Sequence, residues 1–227
     1  MDDTEQPLAY TIGDQPFLGL TIYLDSRPLI PRPETEWWTE QLLREGDTFP
    51  TRNVGHRKSH MKFLDLCAGS GAIGCAALAK FPNAQVYFGE IDPAHEATIL
   101  KNIRENNLDE SRAHVCIGDL FDPLPAEMKF DVIAANPPYV PCGRDLPASV
   151  TNYEPPLALY AGADGLDIIR RIAISVRCHL TESGVVWLEC DSEHAETAQG
   201  LFASQNFTAE LRADQYGQPR VIIARPI

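Results

Sequence analysis

From Lys62 onward the chain alternates between two kinds of segment. Short apolar runs at Phe63–Cys67, Gln85–Glu90, His114–Ile117, Phe130–Ala135 and Gly184–Cys190 read as strands. Longer stretches with helical spacing fall at 72–81, 93–106 and 165–179, with a fourth at 193–205 after the fifth strand. Such alternation predicts an α/β fold with a mostly parallel, doubly wound sheet. The tail departs from it: Phe207–Arg212, a turn at Gln215–Pro219, then Arg220–Arg225. Two strands joined by so short a turn must be antiparallel, so the sheet should finish in a hairpin.

Upstream, Leu8–Ile12 and Phe17–Tyr23 alternate around the turn residues Gly13–Pro16, which predicts a hairpin whose second strand is Leu20–Tyr23. Prolines keep Leu29–Pro33 extended, and Pro33 suits the first position of a helix carrying Glu34 and Glu36 in its opening turn. That helix should run to about Arg44 and pack through Trp37, Leu42 and Leu43. Residues 1–45 therefore form a hairpin-and-helix appendage, 46–60 a polar linker, and 61–227 a catalytic domain.

One stretch organises the rest. Phe130–Ala135 is apolar apart from Asp131, as a strand buried on both faces would be, and it runs into Asn136-Pro137-Pro138-Tyr139. The two prolines cannot donate to a ladder, and Asn136, preceding one, is held extended. A carboxamide oxygen and the Pro137 carbonyl then project from the carboxyl end of a strand, where open α/β sheets bind ligands. Two acceptors at fixed spacing suit a planar –NH2 group, with Tyr139 and the proline rings as apolar walls.

The first strand leads into Gly69, Gly71 and Gly74, spaced G-x-G-x-x-G and opening a helix. Glycines let backbone approach a ligand, and helix N–H groups take its anionic end. Glu90, about twenty residues further at the end of the second strand, is placed to accept ribose hydroxyls. Asp92 has a simpler task, capping a helix that begins at Pro93. Asp119 ends the third strand and is read either as an edge for adenine or as a turn former.

Composition narrows the partners. The net charge is −13, and no basic cluster exceeds Arg57-Lys58, which argues against a long duplex as substrate and against stable nucleic-acid binding. The six cysteines include no C-x-x-C pair, which points to buried free thiols, an intracellular reducing compartment and no zinc site. His56 and His60 share a helical metal spacing but lie in a polar, glycine-containing stretch, so solvated loop residues are the reading. The acidic start has neither a secretory nor a transit-peptide character, and no apolar run reaches membrane-spanning length.

Together the glycine loop, Glu90 and Asn136–Tyr139 resemble an S-adenosylmethionine-dependent methyltransferase acting on a planar nitrogen. Pro31-Arg32-Pro33-Glu34-Thr35-Glu36 narrows the resemblance to the HemK/PrmC family of protein-glutamine N5-methyltransferases, as do Pro7–Tyr10, Gly13, Tyr153–Pro155, Ala158–Leu159, Gly162, Asp164–Leu166 and Gly217–Arg220. It implies the class I methyltransferase fold and S-adenosylmethionine as methyl donor. It implies a peptide chain release factor as protein partner, with the glutamine of its Gly-Gly-Gln loop as acceptor. The implied cofactor residues are Asp65, Cys67, Ala68, Gly69, Ser70, Gly71, Glu90, Asp119, Leu120 and Asn136. The implied catalytic residues are Asn136, Pro137, Pro138 and Tyr139, and Arg32 and Glu34 join them on the substrate side. No residue is assigned as general base and none as metal ligand.

The departures are Cys67 where the family carries glycine, Ala68 where it carries a small polar residue, Leu120 where an aromatic is common, and Leu188–Asp191 where a glycine-containing segment is usual. A small N-terminal helical domain of the family is missing, so the chain is read as a trimmed catalytic core. Pro7–Phe17 and the long linker resemble organellar members, which implies a mitochondrion over the cytoplasm. Three rivals stand beside this reading. An adenine N6-methyltransferase presents the same two donors, but on a duplex it must flip the base and bind phosphates. An NAD-dependent oxidoreductase would leave Asn136–Tyr139 unexplained, and a non-catalytic binding module would transfer no methyl.

Overall fold

The computed structural model describes residues 5–46, 53–54, 57–58 and 61–227. The expected linker, with His56 and His60, therefore lies outside the described residues, apart from Gly46 and the paired dipeptides β3 (Asn53–Val54) and β4 (Arg57–Lys58).

The N-terminal segment differs from the expected hairpin in its first half. Leu8–Ile12 is a helical turn (α1), and the hairpin is β1 (Asp14–Phe17) against β2 (Leu20–Tyr23). Pro7 fixes its own φ, and its carbonyl takes the Tyr10 and Thr11 amides. Gly13, left-handed at φ 98°, closes the turn by donating to the Ala9 carbonyl. A proline before and a glycine after outweigh five alternating residues.

Helix α2 (Pro33–Glu45) begins at Pro33 as expected. Its buried stripe is Thr35, Trp38, Thr39 and Leu42, at helical spacing i, i+3, i+4, i+7, and Trp37 is only partly buried. Leu42 and Leu43 are buried and Trp37 packs against the core from its edge, as expected, while Trp38, which the expectation omitted, is the fully buried tryptophan because two threonines on the buried face hide its phase.

The main body is β5 (Lys62–Leu66), α3 (Ala72–Lys80), β6 (Gln85–Glu90), α4 (Glu96–Glu105), β7 (Ala113–Ile117), β8 (Phe130–Ala135), α5 (Ala148–Thr151), α6 (Asp167–Ser175), β9 (Leu180–Glu189), α7 (Ala195–Ser204), β10 (Phe207–Ala213) and β11 (Pro219–Pro226). Seven strands form one sheet in the order β10-β11-β9-β8-β5-β6-β7, parallel except for the closing β10–β11 hairpin. The strand singled out by its apolar run, β8, is the central one. Its one charge, Asp131, accepts from the Lys62 amide at 2.9 Å and so caps the start of the neighbouring strand.

Alternation along the strands sorts the core into two layers. Val132, Ala134, Val185 and Trp187 face α2 and α3, while Ile133, Ala135, Val186 and Leu188 face α6 and α7. The hairpin docks on α4, where Asn106 and Asn102 exchange hydrogen bonds with the Thr21 and Tyr23 backbones, so two side-chain amides stand in for a neighbouring strand.

Gly74 in α3 sits against the buried Phe88 ring: a Cβ there would lie 2.2 Å from a ring carbon. Gly200, exposed in α7, has nothing within 4 Å. Gly74→Ala should therefore destabilise the fold by about 1–3 kcal/mol through overpacking. Gly200→Ala should stabilise it by about 0.5–1 kcal/mol by relieving helix entropy. Denaturant melts of the two variants check the opposite signs.

Candidate active site

Register sets the site. Leu66 pairs with Gly89 on one side and with Ala135 on the other, and Ala135 pairs with Leu188. The next residues, Cys67, Glu90, Asn136 and Glu189, therefore form one row across the carboxyl ends of four adjacent strands. The chain runs from β5 out to β7 and returns to β8 on the other side of β5, so this row lies at the point where strand order reverses.

A cleft opens above it, where open α/β sheets bind their ligands. Of the residues singled out in the sequence, Cys67, Gly69, Glu90, Asp119, Leu120, Asn136 and Pro138 line it. Asp65, Ala68, Ser70, Gly71, Pro137, Tyr139, Arg32 and Glu34 do not line it. Leu29, Ile91, His95, Pro155, Leu157 and Ile168 do, though sequence reasoning passed over them. Leu29, Ile91 and Pro155 lie on connecting segments and His95 and Leu157 in single short turns, where no periodic signal marks them, while Ile168 sits in the first turn of α6.

The glycine loop takes the conformation its glycines permit, with φ 54° at Gly69 and 78° at Gly71. Cys67 holds φ 61°, also left-handed, at the position where a glycine would carry no Cβ penalty. Burial pushes the Cys67 thiol far above its usual range, so it sits there as a small neutral apolar group. Glu90, buried at the end of β6, accepts from the Gly69 amide at 2.7 Å and from the Asp92 amide at 2.8 Å. Each oxygen keeps lone pairs for further donors. Asp92 caps the turn at Pro93–His95 by accepting from the Ala94 amide at 2.9 Å. Asp119 faces the cleft while its Oδ2 takes the Arg171 guanidinium at 2.8 Å, and Leu120 holds φ 49°.

Asp65 works beneath the loop. Its Oδ2 accepts from the Gly74 amide at 2.8 Å, tying β5 to α3, while its buried Oδ1 has no partner among the described residues. Burial pushes its carboxyl up to about 8.

On the α2 side, the Asn136 amide nitrogen donates to Thr35 Oγ1 at 3.2 Å. Thr35 donates to Glu189 Oε2 at 2.6 Å, and Trp38 Nε1 donates to the same oxygen at 2.7 Å. The Tyr139 hydroxyl donates to Glu189 Oε1 at 2.9 Å, so Tyr139 turns inward to this carboxylate. Burial holds the Glu189 carboxyl above its ordinary range, and these three bonds pull the other way. Among the described residues no donor reaches Asn136 Oδ1 or the Pro137 carbonyl.

Pro31–Glu36 reaches this site through its threonine. Arg32 is spent on buried Glu154, Glu36 accepts from the Leu18 amide at 2.7 Å, and Glu34 is half-buried in the first turn of α2. Glu189 is the residue that sequence reasoning missed. Its signal was an acid closing the apolar run Val185–Leu188 at the same level as Asn136. Among the described residues no group of His, Cys, Asp and Glu could hold a metal ion, and no helix is long and apolar enough to cross a membrane.

Sheet order, hairpin and strand-end site together define a methyltransferase of the class I fold. Residues 47–152 match the family model for the methyltransferase small domain. Solved structures share the fold at low identity. The T. thermophilus 16S rRNA N2 G1207 methyltransferase superposes with TM-score 0.61 at 19% identity, over 94% of this chain and 50% of that one. A Pyrococcus furiosus methyltransferase superposes with TM-score 0.59 at 18% identity, over 92% and 91%. In sequence the chain is 36% identical to the release factor glutamine methyltransferase of Thermodesulfovibrio yellowstonii, over 96% of its own length and 76% of the relative's. It is 35% identical to that of Geobacter sulfurreducens, over 97% and 73%. The chain belongs to the release factor glutamine methyltransferase family.

The buried Asp65 carboxyl makes a pH prediction. Between about 4 and about 8 the folded chain keeps a proton that the unfolded chain has released, so rising pH favours unfolding through this group. Asp65→Asn removes that dependence. The melting temperature of the variant relative to the parent should climb from pH 5 to about pH 8. A pH-independent difference between the two melts would show that Asp65 ionises normally.

Proposed function

We propose that this protein transfers a methyl group from S-adenosylmethionine to the side-chain amide nitrogen of the glutamine in the Gly-Gly-Gln loop of a peptide chain release factor. Family membership over nearly the whole chain carries the reading. The site supports it with carbonyl oxygens at Asn136 and Pro137 that no donor reaches among the described residues, where a carboxamide must be gripped.

The residues present fit the cofactor. Left-handed Gly69 leaves the loop backbone open toward the cleft, with nothing nearer than Pro28 at 3.8 Å to a Cβ built there, and Glu90 lines the cleft beside it. Gly69 and Gly71 backbone would border the amino-acid end, Glu90 would accept the ribose hydroxyls, and Asp119 and Leu120 would edge the adenine. When bound, S-adenosylmethionine supplies an electrophilic methyl on a sulfonium centre.

A carboxamide nitrogen is a poor nucleophile because its lone pair is delocalised into the carbonyl. Asn136 Oδ1 and the Pro137 carbonyl, accepting its two N–H bonds, hold that nitrogen in one place and orientation, and Pro138 walls the cleft beside it. As positive charge develops on nitrogen, the same two carbonyl dipoles face it. An adenine amine offers the same two donors, but the family relatives named here act on release factors.

Incubation with S-adenosylmethionine and a purified release factor should place one methyl on the loop glutamine, read by peptide mass spectrometry. A Gln→Asn change in that loop should abolish it, since the shorter side chain leaves the amide short of the methyl. Methyl on adenine of added nucleic acid, with none on the release factor, would overturn the reading. Glu90→Ala should weaken S-adenosylmethionine binding at least about tenfold, as loss of a charge-assisted bond of roughly 1.5–3 kcal/mol requires. Asp92→Ala should cost some helix stability and little affinity, and calorimetric titration of both variants checks the order.

A further inference from the structure

Asn136 can serve an incoming carboxamide in only one of its two orientations. Oxygen outward accepts the substrate N–H, whereas nitrogen outward meets it with another donor. The two orientations have nearly the same shape, so packing does not choose between them. We infer that Thr35 and Glu189 are positioning residues that lock the Asn136 carboxamide with its oxygen toward the acceptor amide, an inference that rests on the reading above that the acceptor is a carboxamide.

The hydrogen-bond inventory fixes the direction one atom at a time. Trp38 Nε1 can only donate, so the Glu189 Oε2 it reaches at 2.7 Å serves as an acceptor. With Glu189 ionised, the Thr35 hydroxyl, 2.6 Å from the same oxygen, spends its single proton there. Thr35 Oγ1 then has only lone pairs to offer, and the Asn136 atom 3.2 Å away must be the –NH2. Tyr139 donates to Oε1 at 2.9 Å and keeps the carboxylate from turning. Thr35, Trp38 and Glu189 are 3%, 0% and 1% exposed, so water does not replace the Thr35 or Trp38 donor to the carboxylate. With the nitrogen held inward, Oδ1 is what Asn136 has left to present. A carboxylate at the end of one strand thus sets which atom the neighbouring strand end presents to the substrate.

Thr35→Val keeps the shape and removes the hydroxyl, while Thr35→Ser keeps the hydroxyl. Three readouts decide: the single-turnover rate of methyl transfer at saturating cofactor, the affinity for S-adenosylmethionine, and hydrogen exchange of the Asn136 side-chain amide by NMR. Thr35→Val should lose at least about tenfold in rate with cofactor affinity held within about twofold, and the Asn136 amide should lose protection from exchange. Thr35→Ser should restore both rate and protection. A valine variant with parental rate and protection overturns the inference. Should valine not fold, the parent protein alone decides: one Asn136 amide proton must exchange more slowly than those of exposed Asn152, and equal exchange overturns the inference. A parent inactive on the release factor would overturn the proposed substrate instead, and amide exchange would still report on the lock.

Discussion

The structure depends on a carboxylate that water cannot reach. Glu189 is 1% exposed at the end of β9, and withdrawing such a charge from solvent costs several kcal/mol unless donors surround it. Thr35 and Trp38 come from α2 and Tyr139 comes from the segment after β8, so the carboxylate is satisfied only when all three pieces are assembled. That requirement ties the N-terminal helix to the active site. Without α2 in place Glu189 would lose two of its three donors, and Asn136 would lose the hydroxyl that holds its nitrogen. Stability and catalytic geometry share one set of hydrogen bonds, which the Trp38–Trp187 stack at 6.5 Å backs with apolar contact.

The remaining chemistry follows from the sheet. Parallel pairing in a common register brings Cys67, Glu90, Asn136 and Glu189 to one level although they span more than half the chain. Each strand end then does what its local sequence allows. Glycines open the backbone after β5, a carboxylate closes β6 and braces the loop through the Gly69 amide, and prolines stop β8 so that, among the described residues, no donor reaches the Pro137 carbonyl just beyond it. Asp65, one layer below, trades a perturbed carboxyl for the bond that seats α3 on the sheet.

Much of this was legible in the chain. The apolar run at 130–135 and the prolines behind it place the central strand and its end, and Pro33 marks the start of α2, because each rests on a local steric rule that tertiary context rarely overrides. Leu8–Ile12 misled because five alternating residues fit either period, and the deciding bonds came from Pro7 and Gly13 at its edges. Trp38 was hidden behind Trp37 because the buried face of α2 carries two threonines, and Glu189, the shared partner of Thr35 and Trp38, lies about 150 residues away. For the same reason Thr35 and Glu189 were illegible as site residues. A threonine in a first helical turn and a glutamate at a strand end look solvated until their pairing is seen. Arg32 looked like a substrate contact, yet its charge is taken by Glu154, buried from a distant loop.

The central claim is that the oriented carboxamide at the end of β8 grips the acceptor amide. Single-turnover methyl transfer to the release factor by Asn136→Ala, beside titration of S-adenosylmethionine, tests it most directly. The rate should fall well beyond tenfold, a loss exceeding about 1.4 kcal/mol of transition-state stabilisation, while cofactor affinity stays close to that of the parent. A variant that kept a tenth of the rate, or lost only cofactor affinity, would contradict the account and move Asn136 out of the acceptor site.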